Sequence, residues 1–335
     1  MRPKLAFAMA ADKTRYVFDD ASLAQLAKCC DIVSTTPLED FGTAAARAAL
    51  REIDILVTGW GCPVVTAEVV AAAPRLKLIA HAAGTVKFTL DPAVYQAGIA
   101  VTHAADANAV PVAEFTLAAI IFANKHVFEL RDRYRADSSR RTTYALMDQP
   151  IGNYRRTVGL VGASRIGRKV ARFLEGFDFE VLVSDPYVSA SDPITRNAEL
   201  VDLDTLMGRS DVVSIHAPSL PSTRHMIGAR ELGFMRDGTA FINTARGALV
   251  DEAALIAELQ TGRIHAVIDV TDPEIPAASS PLFHLPNVFL TPHVAGAAGT
   301  ERLRLGQMAI EEIERFVAGK PLHFAIEPTI LERLA

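Results

Sequence analysis

The chain has 335 residues, 50% of them hydrophobic and 22% charged, and a formal net charge of −5. That length allows two domains with separate cores, and the acidic balance gives no electrostatic case for a nucleic acid or an anionic membrane as partner. Of the three cysteines, Cys29 and Cys30 are adjacent and Cys62 is distant, so they form neither a disulfide framework nor a recognisable metal site. We therefore expect a cytoplasmic protein without a metal.

A short apolar run over residues 5–10 opens the chain and predicts a buried first strand, because it is too short to span a membrane. A signal peptide is the alternative, since Ala10-Ala11 resembles a small-residue cleavage site. Short β-rich segments then alternate with amphipathic helical segments to the end of the chain. This alternation predicts an α/β fold with parallel sheets.

In the first hundred residues the pattern predicts one α/β unit. Its strands are expected at 5–8, 31–34, 54–58, 76–80 and 99–102, and its helices at 22–28, 43–50, 66–72 and 91–97. The second series predicts strands at 158–161, 181–184, 212–216, 240–243, 266–269 and 288–290. A closing helix at 301–318 is expected to return to the first domain.

Between the two series, a long helical pattern runs from Asn108 to about Arg135, with Pro111 expected in its first turn. The pattern is apolar on most faces, so other parts of the protein must bury most of the helix surface. We expect it to connect the domains and, over residues 112–122, to pack against a second copy of the chain in a homodimer. A polar stretch at 137–156 follows it.

Residues 157–167 read TVGLVGASRIG, a hydrophobic strand, a tight turn and the start of a helix. Gly162 permits the sharp turn, Gly167 lets the helix approach the strand, and free amides at the helix N-terminus would face a pyrophosphate. Ser164 occupies the position where the dinucleotide-binding motif usually has its middle glycine. The site must therefore either shift slightly or use the serine hydroxyl as a hydrogen-bond donor. An ordinary strand-to-helix turn is the alternative.

The next predicted strand ends at Asp185, 23 residues after Gly162 (185 − 162). That is the expected offset for a residue that accepts hydrogen bonds from the adenosine ribose. Because a carboxylate repels a 2′-phosphate, NAD is favoured over NADP. The alternative for Asp185 is a turn residue before Pro186.

Three further motifs follow in order, NTARG at 243–247, DVTDPE at 269–274 and TPHVAG at 291–296. Together with the glycine turn, they resemble the D-isomer-specific 2-hydroxyacid dehydrogenase family, which includes phosphoglycerate dehydrogenases and hydroxypyruvate or glyoxylate reductases. The resemblance covers nearly the whole chain. It implies a Rossmann-type doubly wound NAD-binding domain at 105–294 and a flavodoxin-like α/β substrate domain formed by 1–104 and 295–335.

Arg246 follows a predicted buried strand, at the edge of the sheet where ligands of open α/β folds bind. A planar guanidinium can hold a carboxylate with two parallel hydrogen bonds. The resemblance assigns Arg246 this role toward the substrate. Without the motif, an arginine in a loop would be a surface charge.

Reduction of a ketone needs a proton for the developing alkoxide, and histidine can deliver one near neutral pH. By resemblance, His293 is this acid/base and Glu274 the carboxylate that orients it, although 19 residues separate them (293 − 274). A proline-fixed turn and a solvated loop charge are the alternatives. Ile275 replaces the family's usual proline after the glutamate.

The resemblance places further residues along the cofactor. Besides Gly162, Ser164, Gly167 and Asp185, the expected cofactor contacts are Arg165, Ile166, Pro218, Thr223, Thr244, Ala245, Arg246, Asp269, His293 and Gly296. Asp269 matches a position beside the nicotinamide, and His216 is expected to line the same pocket.

The first domain is expected to supply the other wall of the substrate site. Ala83, Gly84 and Thr85 match a loop whose amides hold the substrate carboxylate, although Thr85 replaces a usual glycine. The expected docking position of that carboxylate is therefore between Arg246 and the Gly84 loop. For Trp60 there are two alternatives: it shapes the substrate pocket, or it has a packing role as a half-buried side chain.

The predicted function is the NAD-dependent interconversion of a small D-2-hydroxy acid and its 2-keto acid. Formate dehydrogenases share the scaffold but carry glutamine at the position of Glu274. An NAD(H)-sensing binding protein of the corepressor type, with little or no turnover, is the alternative from another functional class.

Overall fold

The computed structural model describes residues 2–327. Contacts divide the chain into two units, a first of Met1–Asn108 with Ala297–Ala335 and a second of Ala109–Gly296. The limits expected from the sequence were 104/105 and 294/295. Each unit contains one parallel β-sheet with helices on both faces.

The twelve strands of residues 2–327 are short, as is common for buried parallel sheets. In the first unit they are β1 (Lys4–Ala8), β2 (Asp31–Ser34), β3 (Ile55–Thr58), β4 (Leu78–His81) and β5 (Ala100–His103). In the second unit they are β6 (Thr157–Val161), β7 (Glu180–Ser184), β8 (Glu199–Leu200), β9 (Val212–Ile215), β10 (Ala240–Asn243), β11 (His265–Ile268) and β12 (Val288–Leu290).

The α-helices follow in chain order: α1 (Ala11–Val17), α2 (Asp20–Cys29), α3 (Ala44–Leu50), α4 (Ala67–Ala72), α5 (Ala93–Gln96), α6 (Ala105–Asn124), α7 (Val127–Asp137), α8 (Arg141–Met147), α9 (Arg165–Leu174), α10 (Leu203–Arg209), α11 (Ala229–Phe234), α12 (Glu252–Gln260) and α13 (Arg302–Val317). Short 3-10 turns lie at Pro193–Arg196, Pro221–Thr223, Gly247–Leu249, Pro281–Phe283 and Gly299–Glu301.

The sheet of the first unit has the order β2-β1-β3-β4-β5 and only parallel pairs, which is the flavodoxin-like order. The predicted first strand is confirmed as β1, and the side chains of Leu5 and Phe7 are fully buried. Helix α13 packs on this sheet through Leu305, Ala309 and Ile310. The C-terminal helix therefore belongs to the core of the first unit.

The sheet of the second unit has the order β12-β11-β10-β9-β6-β7-β8, again all parallel. Counted from β6, this is the doubly wound Rossmann order with one extra strand at the β12 edge. Alternate residues of each strand enter cores on opposite faces; in β10, Phe241 enters one core and Ile242 the other. The predicted fold class is confirmed.

Two local predictions are wrong. The single helix expected from Asn108 to about Arg135 is two helices, because His126 takes a left-handed backbone conformation (φ 48°) between α6 and α7. Helix α6 begins at Ala105, so Pro111 lies inside it rather than in its first turn. The polar stretch at 137–156, for which no element was predicted, contains α8. Each of these boundaries depends on tertiary packing more than on local propensity.

Helix α6 contributes Ala113, Ala119 and Ile120 to the core of the second unit, whereas Phe122 is 46% exposed. Among the helices of residues 2–327, it alone is long and apolar enough to cross a membrane by length and composition, a test that core helices also pass. The expected homodimer contact through residues 112–122 stays a prediction.

Candidate active site

The glycine turn lies where the strand order of the second unit reverses, between β6 and β9. Gly162 has φ +99°, a conformation that disfavours L side chains, and a Cβ atom there would lie 2.6 Å from the backbone nitrogen of Ala217. Gly167 packs against the same turn, because its Cβ would lie 2.2 Å from the Gly162 carbonyl oxygen. The backbone thus comes as close as the dinucleotide motif requires.

Ser164 resolves the question raised by the missing middle glycine. It is the N-cap of α9, and its Oγ accepts a hydrogen bond from the Gly167 amide at 3.4 Å. The serine therefore stabilises the helix N-terminus, whose positive dipole end favours an anionic ligand. Arg165 and Ile166 begin this helix.

Asp185 directly follows β7, the strand that pairs with β6 beside the glycine turn. Its Oδ2 accepts a hydrogen bond from the amide of Ala163, and its Oδ1 one from the amide of Tyr187, both at 2.8 Å. A carboxylate oxygen can accept more than one hydrogen bond, so both oxygens keep the capacity to bind hydroxyl groups. The structure thus connects Asp185 directly to the turn expected to hold the pyrophosphate.

The segment after β9 forms the next wall of this crevice. His216 is fully desolvated, so burial lowers its pKa to about 3 and keeps the imidazole neutral; its Nε2 lies 3.0 Å from Ser214 Oγ. Further along, Thr223 Oγ donates to the carbonyl of Pro218 at 2.6 Å and accepts from the amide of Leu220 at 2.9 Å. These bonds stabilise the loop where Pro218 and Thr223 were predicted to contact the cofactor.

Arg246 follows β10, and Asn243, the last residue of that strand, braces its loop. The Asn243 Nδ2 donates to the carbonyl of Arg246, and its Oδ1 accepts from the amide of Ala245, both at 3.0 Å. Thr244 Oγ lies 2.9 Å from Thr116 Oγ on α6. The sequence analysis missed Asn243, although an amide side chain at a strand end is a signal for such a brace.

Gly247 brings the arginine loop against the loop that carries Glu274. A Cβ atom at Gly247 would lie only 2.0 Å from the carbonyl carbon of Thr271. The hydroxyl of Thr271 in turn donates to the carbonyl of Glu274 at 3.0 Å. The close contact between the two loops therefore requires glycine at this position.

Asp269 has a structural task in addition to the predicted place beside the nicotinamide. This buried carboxylate accepts hydrogen bonds through Oδ1 from Thr291 Oγ (2.6 Å) and the Val294 amide (2.8 Å), and through Oδ2 from the Ala295 amide (2.9 Å). Its carbonyl accepts a further bond from the amide of His293, which has φ 55°. Asp269 thus holds the loop that presents His293.

His293 and Glu274 meet, although they are far apart in the sequence. His293 Nδ1 lies 2.5 Å from Glu274 Oε1, and the two side chains are 43% and 57% exposed. Because the Nδ1 side faces the carboxylate, Nε2 is the nitrogen left for a substrate. The geometry allows the acid/base pairing predicted for them.

Arg246 lies within electrostatic reach of this pair. Although Arg246 is exposed at the surface, neighbouring groups desolvate its guanidinium, and this burial lowers the pKa of Arg246 below its ordinary value. The charge of Glu274 acts in the opposite direction. The three predicted reacting side chains therefore share one edge of the sheet.

The residues predicted to hold substrate from the first unit lie in a loop after β4. Within residues 2–327, the backbone amides of Gly84 and Thr85 donate no hydrogen bond to another backbone group, and Thr85 Oγ accepts one from Lys87 at 3.4 Å. Ala83 is buried. Trp60 is half-buried, with the Arg302 guanidinium 5.7 Å from its ring centroid, so it packs within the first unit.

NAD fits the residues of the second unit. The backbone approaches closely at Gly162, the amides at the start of α9 offer donors, and Asp185 offers acceptors at the end of the neighbouring strand. A parallel sheet with this turn at its switch point defines a dinucleotide-binding protein of the Rossmann type.

Comparisons with known proteins give the family. Residues 117–295 match the model of the NAD-binding domain of the D-isomer specific 2-hydroxyacid dehydrogenases. A glyoxylate reductase from Thermofilum pendens is 32% identical over 319 residues, which cover 91% of this chain and 90% of the relative. The structure of a D-isomer specific 2-hydroxyacid dehydrogenase from Lactobacillus delbrueckii ssp. bulgaricus, complexed with NAD, superposes with a TM-score of 0.81 at 25% identity and covers 97% of this chain and 100% of that chain.

A D-3-phosphoglycerate dehydrogenase from Archaeoglobus fulgidus is also 32% identical, over 269 residues that cover 80% of this chain and 50% of the relative. The chain spans about half the length of the first curated relatives that it matches. It belongs to the D-isomer specific 2-hydroxyacid dehydrogenase family. This confirms the family predicted from the motifs and, through the matching NAD-binding domain, NAD as the cofactor.

Proposed function

We propose that this protein is an NAD-dependent oxidoreductase that interconverts a small D-2-hydroxy acid and its 2-keto acid. The observation that carries the proposal is the His293–Glu274 pair, with 2.5 Å between Nδ1 and Oε1, at the strand ends that also present Arg246. Family membership supports the reaction class and the D configuration.

In the proposed reaction, the turn at Gly162, the first amides of α9 and Asp185 hold NAD, with Pro218 and Thr223 on the adenosine side. NAD supplies the hydride acceptor and NADH the hydride donor. The protein supplies orientation and electrostatics, which is its usual share in a reaction carried by a cofactor. Asp185, through its negative charge, selects against a 2′-phosphate.

Arg246 binds the substrate carboxylate. Its guanidinium keeps a positive charge despite the lowered pKa, because arginine titrates far above neutral pH. Two parallel hydrogen bonds to a carboxylate fix the plane of the carboxylate and therefore the direction of the C1–C2 bond. That orientation brings the C2 carbon into a constant position for hydride transfer.

His293 exchanges the proton. During reduction, Nε2 of the imidazolium donates a proton to the C2 oxygen as negative charge develops there; during oxidation, neutral Nε2 accepts the proton from the C2 hydroxyl. Glu274 stabilises the imidazolium and orients the ring through Nδ1. Asp269 positions the loop that carries His293.

Two parts of the proposal rest on sequence and family. Ala83, Gly84 and Thr85 bind the substrate carboxylate through backbone amides, and Trp60 contributes to substrate selection. A homodimer forms through residues 112–122 of α6.

The direct test is a panel of 2-keto acids, including glyoxylate, hydroxypyruvate, 3-phosphohydroxypyruvate and bulkier acids, with NADH oxidation followed by absorbance. We expect turnover with at least one member, and with the D but not the L hydroxy acid in the reverse direction. NADH binding without turnover of any member would overturn the proposal and favour the sensor alternative.

A further inference from the structure

A second cluster of ligand-type side chains lies at the opposite edge of the same sheet. His126, just before α7, Glu129 in its first turn and His265 at the first position of β11 place their candidate ligand atoms within 4.8 Å of one another. Glu129 Oε2 lies 3.1 Å from His126 Nδ1 and 4.0 Å from His265 Nε2. The two imidazole rings meet edge to face, with centroids 4.8 Å apart.

Packing brings these residues together. The left-handed backbone at His126 turns the chain between α6 and α7, and Phe128 stacks on Phe289 of β12 with centroids 4.1 Å apart. The stacked rings hold the start of α7 against the sheet, so His126 and Glu129 reach the first residue of β11. A non-glycine residue with positive φ costs energy, and such strain is often found at ligand sites.

The cluster has the composition of a transition-metal site. Two imidazoles and one carboxylate suit Zn²⁺, with water in the fourth position. Ligand atoms about 2.0–2.1 Å from a tetrahedral zinc are roughly 3.4 Å apart, so the atoms need to move by less than about 1.5 Å.

The surroundings also fit an ion. Arg133 donates to Glu129 Oε1 at 2.6 Å, which orients the carboxylate and leaves Oε2 toward the histidines. Arg131 forms a two-pronged ion pair with Asp132, so its charge is balanced. A cavity of about 30 Å³ lies among these residues, enough for an ion with a coordinated water.

We propose that His126, Glu129 and His265 form a Zn²⁺ site that ties α7 to the amino edge of the sheet. Along β11, His265 is about 13 Å from Asp269 at the other end of the strand, at ~3.3 Å per residue. The zinc site is therefore separate from the proposed reacting groups. It adds a second ligand class to this chain and does not depend on the proposed function.

The test starts with tag-free protein stripped by chelator and titrated with Zn²⁺ against a chromophoric competitor. We expect one tight equivalent for the wild type and an affinity at least tenfold lower in His265→Gln and Glu129→Gln. His284→Gln, an exposed histidine of the same unit outside the cluster, is the matched control and should bind as the wild type does. Zn²⁺ should raise the thermal midpoint of the wild type and of this control only, and Mg²⁺ should raise neither.

A separate arm excludes zinc held by the proposed reacting pair. Glu274→Gln should keep full Zn²⁺ affinity. Loss of zinc in Glu274→Gln, or equal affinity in the wild type and His265→Gln, would overturn the proposal. If His265→Gln does not fold, two other measurements test the proposal: the Zn²⁺ affinity of Glu129→Gln and the visible absorption of the Co²⁺-loaded wild type. Tetrahedral Co²⁺ bound by histidine absorbs strongly, whereas hydrated Co²⁺ does not.

Discussion

The two edges of the sheet in the second unit position their side chains by different means. At the carboxyl edge, Asp185, Asn243 and Asp269 accept hydrogen bonds from backbone amides of the loops that follow the strands. At the amino edge, the cluster around Glu129 is positioned by a helix packed on the sheet through Phe128. Loops braced in this way hold the exposed side chains of the proposed reaction, whereas helix packing holds the partly buried side chains of the proposed zinc site. Substitutions at the carboxyl edge should therefore affect turnover most, and those at the amino edge stability.

The largest effect is expected from His293→Ala. Loss of the proton donor should lower kcat by about 10²–10⁴-fold, while NADH affinity changes little because the nucleotide is held elsewhere. Stopped-flow or steady-state turnover and NADH fluorescence titration measure the two quantities, and His284→Ala is the control. Turnover at the wild-type level would show that His293 is not the acid/base. It would also contradict the expectation that substitutions at the carboxyl edge affect turnover most.

Asp185→Arg should reverse the cofactor preference. We expect NAD to bind roughly tenfold weaker or worse, a change of about 1.4 kcal/mol, and NADP to gain because the guanidinium can pair with its 2′-phosphate. Asp185→Asn serves as the matched variant, since it keeps an oxygen for the Ala163 amide but loses the charge. If discrimination between NAD and NADP is unchanged in both, the ribose role of Asp185 is wrong.

Gly247→Ala tests the close contact of the two reacting loops. The added Cβ would meet the Thr271 carbonyl at 2.0 Å, so the loops must separate, at a cost of about 1–3 kcal/mol in unfolding free energy and with a lower kcat/KM. Gly233→Ala in α11 is the control, because no atom lies within 4 Å of its Cβ and alanine favours helices. Equal kcat/KM and stability in both variants would show that the contact does not position Arg246.

The last effect concerns acid stability and vanishes at neutral pH. Burial lowers the pKa of His216 to about 3, whereas the unfolded chain takes up this proton near pH 6.5. Stability is therefore fully present above pH 6.5 and falls as the pH drops toward 3, by up to about 1.4 kcal/mol per pH unit for this group. The buried His81, with its pKa lowered to about 4, acts in the same direction.

His216→Gln should reduce this slope, because glutamine can keep the hydrogen bond to Ser214 but does not titrate. Urea unfolding between pH 4 and 7 measures it, with His284→Gln as the exposed control. A slope equal to that of the wild type would mean that His216 is not held neutral at the carboxyl edge.

Much of the secondary structure of the second unit could be predicted from local sequence patterns. The strands 240–243 and 288–290 were predicted with the bounds that the structure shows, because buried parallel strands are short, continuous apolar runs. The break at His126, the start of α6 at Ala105 and helix α8 were not. A left-handed residue or a proline inside a helix is decided by packing, which overrides propensity.

The sequence by itself determined the family, the doubly wound fold and NAD as cofactor, because these depend on motifs of adjacent residues. Only the tertiary structure decided that Glu274 contacts His293, that Asp269 and Asn243 brace the loops of the proposed reacting groups, and that His126 and Glu129 meet His265. Residues up to 139 positions apart (265 − 126) become neighbours through strand order and helix packing, and no local pattern records such proximity.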